Sequence, residues 1–405
     1  MIKRVDLLTK IHPFVGKPPV KVITGLRRSG KSVFVRQILA ELREEGETDD
    51  RLVYLDLESL ENDAIRDYKD LATAVASRIA GLKGKVHLFI DEIQNVAEWE
   101  RVVSSWSGDF ERYDVYVTGS NSMLFSGALA TKLTGRYVEI PVYPLSLSEL
   151  LLADESRHPE AQVFLDYLRF GGMPGLLAFG DRNEETALPY LSAIHDAILL
   201  KDVVERGKIR NVSLLRNICA YVYDSVGSPV SANGISKYLK GQRLSVNVQT
   251  VMNYLDVLEA AQLVESVPRF DVRGKRQMEY NRKYYVTDIG LRNVVVGFRP
   301  TDVSHLLENM VFLELRRRGW RVFTGEAGGG EIDFVAERNG ARHYFQVTTS
   351  VENSDTTLER ELRPLLSLKD AYPKTLLVKE CLCAGNVDGV SVVPLTTFLQ
   401  GGEMR

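Results

Sequence analysis

One stretch constrains this chain more than any other: VKVITGLRRSGKSVFVRQILAEL, residues 20–42. Its apolar start, Val20 to Ile23, predicts a short strand. A glycine-bounded loop follows, and an amphipathic helix begins near Lys31. Gly25, Gly30, Lys31 and Ser32 fit the phosphate-binding (Walker A) loop pattern, in which two glycines span four residues and Lys-Ser follows. A loop without side-chain bulk at Gly25 and Gly30 can wrap so that successive backbone N–H groups point inward at a polyphosphate. Arg28 and Ser29 lie in that wrap. The first helical turn, through Val33, adds the partial positive charge of a helix N-terminus. Lys31 then reaches the β- and γ-phosphates, and Ser32 offers its hydroxyl to Mg²⁺. The bare pattern arises by chance in roughly one chain in a hundred of this length. The strand before it and the helix after it make it a nucleotide site, with ATP and Mg²⁺ as the expected cofactors.

The second half of such a site is expected at the end of another buried strand. KVHLFIDEIQNV supplies it, because its apolar run from Val86 to Ile90 ends in Asp91-Glu92. Acids at the C-terminal end of a parallel strand stand at the sheet edge where open α/β sheets bind ligands. Asp91 would hold Mg²⁺, directly or through water. Glu92 would polarise the water that attacks the γ-phosphate. A further strand, Val115 to Thr118, ends in Gly119-Ser120-Asn121, so Asn121 or Ser120 could sense the γ-phosphate or its attacking water. Strands at Arg51–Leu57 and Tyr137–Val142, with helices at Asp63–Leu82 and Trp99–Phe110, complete an α/β parallel sheet.

At 405 residues the chain has room for two to four domains. A formal net charge of −3 announces no global basic field, so a nucleic-acid surface would have to be local. Cys219, Cys381 and Cys383 suit neither a disulfide framework nor a zinc site. No apolar run approaches ~18 residues and MIKRVDLLTK lacks a signal-peptide core, so the reading is cytoplasmic with no membrane partner.

TGLRRSGKS, LFIDEIQ, VTGSNS, LTGRYVEIPVYPLSLSE and GGMP, in this order, resemble a large family of prokaryotic AAA+-related ATPases whose C-terminal half is a domain of unknown function with a nuclease-like core. The resemblance spans nearly the whole chain. It implies that Arg136 is an arginine finger completing a neighbouring subunit's site, and hence a homo-oligomer such as a hexameric ring. Residues 1–152 would be the ATP-binding domain. Residues 153–208 are similar to the small helical lid of AAA+ proteins, with Pro174 in the GxP motif that touches the nucleotide. The alternative reading of Gly171-Gly172-Met173-Pro174 is a helix–helix turn.

From 209 to 299, three helical patterns and two extended segments (Leu263–Phe270 and Lys283–Thr287) follow the order of a winged helix. The loop between the extended segments is rich in cations, Arg273, Lys275 and Arg276 among them, with Arg269, Arg282 and Lys283 beside it. Lys237, Lys240 and Arg243 could add to a phosphate-binding face. A solvated hairpin or a protein-binding winged helix fits the same pattern. Residues 300–405 are similar to the PD-(D/E)XK nuclease core. Glu308 and Asp333 match its helical and strand acids, but Gln346-Val347-Thr348 stands where acid-x-Lys is expected. Hydrolysis of a phosphodiester needs a metal held by carboxylates and a positive group near the attacking water. Gln346 is a poor ligand and Thr348 carries no charge, so a degenerate, non-cleaving domain is expected.

Three functions compete. The first is an AAA+ ATPase that moves on or remodels duplex or branched DNA. The second is a nucleotide-gated switch recruiting a protein partner in defence or stress signalling. The third is an active metal-dependent nuclease.

Overall fold

A computed structural model describes residues 2–120, 133, 135–154, 158–180, 182–271, 276–327, 330–350, 355–380 and 384–402. The chain divides into two compact units. One comprises residues 1–143 with 260–262, and the other residues 144–259 with 263–405.

The first unit is built on five parallel strands: β1 (Val20–Thr24), β2 (Leu52–Asp56), β3 (Val86–Asp91), β4 (Tyr113–Gly119) and β5 (Tyr137–Pro141), in the spatial order β2-β3-β4-β1-β5. β1 and β3 are buried at every position, which is why they read as unbroken apolar runs rather than alternating ones. Helices cover both faces. Val5–Ile11 and Lys31–Glu44 pack on one side through Leu7, Ile11, Phe34, Ile38 and Leu42. Tyr68–Arg78 and Glu100–Gly108 pack on the other through Leu71, Val75, Val103 and Trp106. The helix read across Asp63–Leu82 starts at Tyr68, because Asp67 caps it in a reciprocal capping box with Asp70.

A buried ionic cluster closes the start of these strands. The Lys21 ammonium of β1 pairs with Asp114 of β4, and that carboxylate also receives Gly16 N–H (2.9 Å) and Tyr116 O–H (2.8 Å) and meets His87 Nδ1 at 2.8 Å. Burial lowers the Lys21 pKa against the pull of Asp114. Burial alone would raise the Asp114 carboxyl, but His87 and Lys21 outweigh it and hold it below its ordinary value. With both partners fully buried, deleting either would strand the other charge at a cost of about 3–5 kcal/mol.

Among its described residues the second unit carries nine strands: β6 (Pro229–Val230), β7 (Val264–Asp271), β8 (Arg276–Val286), β9 (Arg321–Ala327), β10 (Gly330–Arg338), β11 (Ala341–Ser350), β12 (Lys374–Glu380), β13 (Gly385–Val387) and β14 (Val390–Pro394). They form one mixed sheet, ordered β13-β14-β12-β11-β10-β9-β7-β8-β6. The antiparallel β7–β8 hairpin joins the rest through parallel pairing of β7 with β9, so residues 209–299 and 300–405 share one sheet. Helices at Ala232–Gly241, Val303–Arg317 and Asp355–Leu366 belong to this unit's sequence, as does Val248–Ala260 as far as Glu259.

The Gly171-Gly172-Met173-Pro174 turn has a local explanation in this unit. Gly172 N–H donates to the Asp288 carboxylate at 2.8 Å, and Leu145 N–H donates to Gly172 C=O at 2.8 Å. A Cβ on Gly172 would lie 2.1 Å from Leu145 O. Gly171, at φ +71°, would place one 2.4 Å from Asp288. Burial pushes the Asp288 carboxyl up to about 6, although N–H groups of Gly172, Leu291 and Gly290 favour its charged form.

Candidate functional site

The loop after β1 has the backbone its sequence demands. Gly25 (φ +157°), Arg28 (φ +64°) and Gly30 (φ +102°) take positive φ, and Gly30 caps the helix Lys31–Glu44. A Cβ on Gly25 would sit 2.3 Å from the Val142 carbonyl oxygen of the strand-end neighbour, so no other residue fits. Lys31 is 4% exposed. Its ammonium donates to the carbonyls of Gly25 (3.0 Å) and Leu26 (3.3 Å), folding the side chain back over the loop. The Ser29 hydroxyl is fully buried in the loop and has no hydrogen-bond partner among the described residues. Ser32 and Val33, in the first turn, are half-buried, and Arg28 is exposed.

Asp91 and Glu92 end β3 beside this loop, as the parallel order places them. Asp91 is 1% exposed and sits between two hydroxyls from neighbouring strands. Tyr54 of β2 donates to Oδ2 at 2.8 Å and Thr118 of β4 donates to Oδ1. Burial, reinforced by Asp91, raises the Tyr54 hydroxyl well above the ordinary tyrosine value, so it remains a donor throughout the working pH range. The next residue, Glu92, adopts left-handed backbone (φ 55°, ψ 49°), unusual for a side-chain-bearing residue. Its N–H donates to Thr118 Oγ1 at 2.8 Å. Its carboxylate lies 3.5 Å from Lys31 Nζ and accepts from Gln94 Nε2. One hydroxyl, Thr118, therefore fixes both acids, and one acid, Glu92, meets the loop lysine.

These residues fit a magnesium–nucleotide complex. Three loop residues take positive φ, the buried Ser29 hydroxyl has no hydrogen-bond partner among the described residues, and Lys31 folds back over the loop. Oxygen donors for a hard cation are Ser32 and Asp91. Among the described residues no three or more His, Cys, Asp or Glu side chains are arranged so as to hold a metal ion by themselves.

The remaining expected residues are placed as follows. Ser120 is fully buried at the end of β4, whereas Asn121 lies outside the described residues. Arg136 is exposed immediately before β5, held through its backbone to Val20 and Leu133. Pro174 begins a short 3-10 helix, Pro174–Phe179, in the second unit. Lys237, Lys240 and Arg243 are exposed. Arg273 and Lys275 lie outside the described residues. Arg276, read as part of the hairpin loop, instead opens β8 opposite Asp271.

Lys283 is a correction. Its place among the exposed cations of the hairpin does not hold, because the strand continues through it and turns it inward, 5% exposed, onto Glu331 (2.7 Å) and Glu308 (3.5 Å). Burial works against its ammonium, but Glu308, Asp333 and Glu331 together outweigh burial and raise its pKa. Asp333 and Glu308 are pushed up, first by burial. Gln346 and Thr348 are buried on the neighbouring strand, and Gln346 Oε1 accepts Asp333 N–H at 3.3 Å. The sequence reading missed Thr118, Tyr54 and Lys283. The signal available for the first two was a hydroxyl near the end of each strand flanking the acidic one.

An AAA-domain family matches residues 17–151, and a domain of unknown function (DUF8612) matches residues 161–302. An uncharacterised protein of Haemophilus influenzae is 34% identical over 402 residues, covering 98% of each chain. The chain belongs to its family. An uncharacterised protein of Methanocaldococcus jannaschii is 30% identical over 365 residues, covering 85% of this chain and 77% of its own. Among solved structures, a Walker-type ATPase of Pyrococcus abyssi superposes with a TM-score of 0.54 at 16% identity, over 73% of this chain and 96% of that one. That likeness concerns the fold. With the five-stranded parallel sheet and the AAA-domain match, it identifies this chain's first unit as a P-loop fold of the AAA type. No helix among the described residues is long and apolar enough to cross a membrane.

Proposed function

We propose that this chain is an ATPase that binds ATP with Mg²⁺ in its first unit and couples hydrolysis, within a homo-oligomer in the cytoplasm, to movement on or remodelling of DNA. The observation that carries the reading is the linked set Lys31–Glu92–Thr118–Asp91 at the mouth of the loop. Lys31 donates to two loop carbonyls and pairs with the Glu92 carboxylate. A triphosphate competes for the same ammonium, and as Lys31 turns to the phosphates Glu92 is left to orient the attacking water and accept its proton. Ser32 and Asp91 would hold Mg²⁺, which would supply neutralisation of the phosphate charge. Tyr54 and Thr118 keep Asp91 oriented through the cycle.

In this reading Arg136, exposed beside β5, serves as the finger for an adjacent subunit, and Asn121 or Ser120 senses the γ-phosphate. Residues 153–208 act as a lid, with Pro174 in its GxP motif. Residues 209–299 form a winged helix whose Lys237, Lys240, Arg243, Arg273, Lys275 and Arg276 meet DNA phosphates. Residues 300–405 form a nuclease-like domain that does not cleave. The test is steady-state ATP turnover in the presence of duplex, single-stranded and four-way DNA. Stimulation that weakens with salt supports the reading, and rates indifferent to all three refute its DNA part.

A second reading, a nucleotide-gated switch that recruits a protein, is favoured by one surface. The helix Val248–Ala260 carries no Lys or Arg, and with its neighbours it exposes Tyr238 (48%), Leu244 (39%), Val248 (38%) and Met252 (47%). Exposed apolar side chains on a helix that carries no Lys or Arg suit a protein partner, although Lys237, Lys240 and Arg243 stand beside Tyr238 and Leu244. Tight nucleotide retention with slow, DNA-independent turnover would select this reading.

A further inference from the structure

Three acids of the second unit gather around one lysine drawn from a different part of the sequence. Glu308 comes from the helix Val303–Arg317, Glu331 and Asp333 come from β10, and Lys283 comes from β8. The Lys283 ammonium is 2.7 Å from Glu331 Oε1 and 3.5 Å from Glu308 Oε2, and Asp333 lies within its electrostatic reach. Tyr285 O–H donates to Glu308 Oε2 at 3.3 Å, and His305 Nδ1 is 3.8 Å from Glu308 Oε1. Asp333 accepts Val347 N–H at 2.8 Å. The Gln346 side chain is engaged at both ends, accepting Asp333 N–H and donating to Glu361 at 3.3 Å.

Glu308 and Asp333 are buried while Glu331 is half exposed, and the two buried acids can both stay charged only with a cation supplied beside them. Proteins supply one either as a bound divalent ion or as a side chain. A magnesium-sized ion needs carboxylate oxygens near 2.1 Å and room for several waters. An ammonium bonding at ordinary hydrogen-bond length from inside the cluster takes up that charge and that volume. Lys283 is held there by the sheet itself, because it pairs with Val267 of β7 and Pro229 of β6 in the ladder.

We propose that Lys283 is a built-in cation standing where a divalent metal would otherwise be required, so that the Glu308–Glu331–Asp333 centre is closed to metal in the native chain. Lys283 is then a positioning residue, tying the hairpin strand β8 to the acids of β10 and of the Val303–Arg317 helix. This proposal does not depend on the nucleotide reading.

The test is a Mn²⁺ titration of the full, nucleotide-free chain, following the free-ion electron paramagnetic resonance signal. The native chain is compared with Asp333→Asn, Lys283→Arg, Lys283→Gln and the Lys283→Gln/Asp333→Asn pair. Native chain and Asp333→Asn should bind the same number of Mn²⁺ equivalents. Lys283→Gln should gain one equivalent, lost again in the double variant, and Lys283→Arg should gain none. A native chain that binds an Asp333-dependent equivalent overturns the proposal, as does a folded Lys283→Gln that gains nothing. Should Lys283→Gln not fold, the native, Asp333→Asn and Lys283→Arg titrations decide alone. Identical stoichiometry in all three upholds the proposal, and an equivalent lost with Asp333 refutes it.

Discussion

Thr118→Val removes one hydroxyl and keeps the side chain's shape, and the structure says what should follow. The hydroxyl receives the Glu92 N–H at 2.8 Å and donates to the Asp91 carboxylate. Without it a buried N–H is left unpaired, which costs about 1–3 kcal/mol, and a carboxylate loses a donor in a bond type worth about 1.5–3 kcal/mol. The left-handed backbone of Glu92, itself about 1–2 kcal/mol uphill, loses the contact that holds it. A total near 3 kcal/mol corresponds to a Tm about 10 °C lower for a unit of this size. The functional effect should exceed the structural one. A base displaced by about an ångström costs on the order of 10²-fold in turnover, while nucleotide affinity, which rests on Lys31 and the loop, should change little. Phosphate release, titration with a fluorescent ATP analogue and thermal unfolding separate these effects. Thr118→Ser keeps the hydroxyl and serves as the control. Native turnover in Thr118→Val, or an equal loss in Thr118→Ser, would refute the reasoning.

Other perturbations have equally definite outcomes. Gly25→Ala should fail to form the loop, losing nucleotide binding and upwards of about 3 kcal/mol of stability, because its Cβ meets the Val142 carbonyl at 2.3 Å; an equilibrium denaturation curve matching native would contradict this. Arg136→Ala should spare nucleotide binding and lower turnover, and mixing it with Lys31→Ala subunits should change the rate if the finger acts between chains. Burial depresses His343 to about 4, below the ordinary value of 6.5, so the fold keeps it neutral and its contribution is whole above pH 6.5. That contribution drains as pH falls toward 4, by about 3 kcal/mol, so His343→Phe should gain on native by that amount across the interval, as read by urea unfolding at each pH. Asp288, raised to about 6, has the opposite sign: its contribution is whole below about pH 4 and lost as pH rises through 6.

The nucleotide loop was legible because everything that defines it lies within a few consecutive residues, and the helix begins at Lys31 as read. Asp91 and Glu92 were legible because a buried strand announces its own end. Tyr54 and Thr118 were not, since their meeting with Asp91 depends on which strands become neighbours, information carried by no local pattern. Lys283 was misread for a related reason. Local charge content assigns it to a basic hairpin, and only the strand register beginning at Arg276 turns it toward acids on β10 and a distant helix. The glycine pair before Met173 shows the same limit. Its tight packing depends on Asp288, 116 residues downstream. Short-range spacing thus reveals the glycine loop and the acidic strand end, while the contacts that orient Asp91 and Glu92 emerge only with topology.

The most direct measurement is nucleotide binding and turnover by the native chain beside Glu92→Gln and Lys31→Ala, in Mg²⁺ with ATP. The native chain should bind and hydrolyse ATP. Glu92→Gln should bind as tightly but turn over on the order of 10²-fold more slowly, and Lys31→Ala should lose binding. A native chain that retains no nucleotide, or a Glu92→Gln chain that hydrolyses at the native rate, would contradict the assignment of this site.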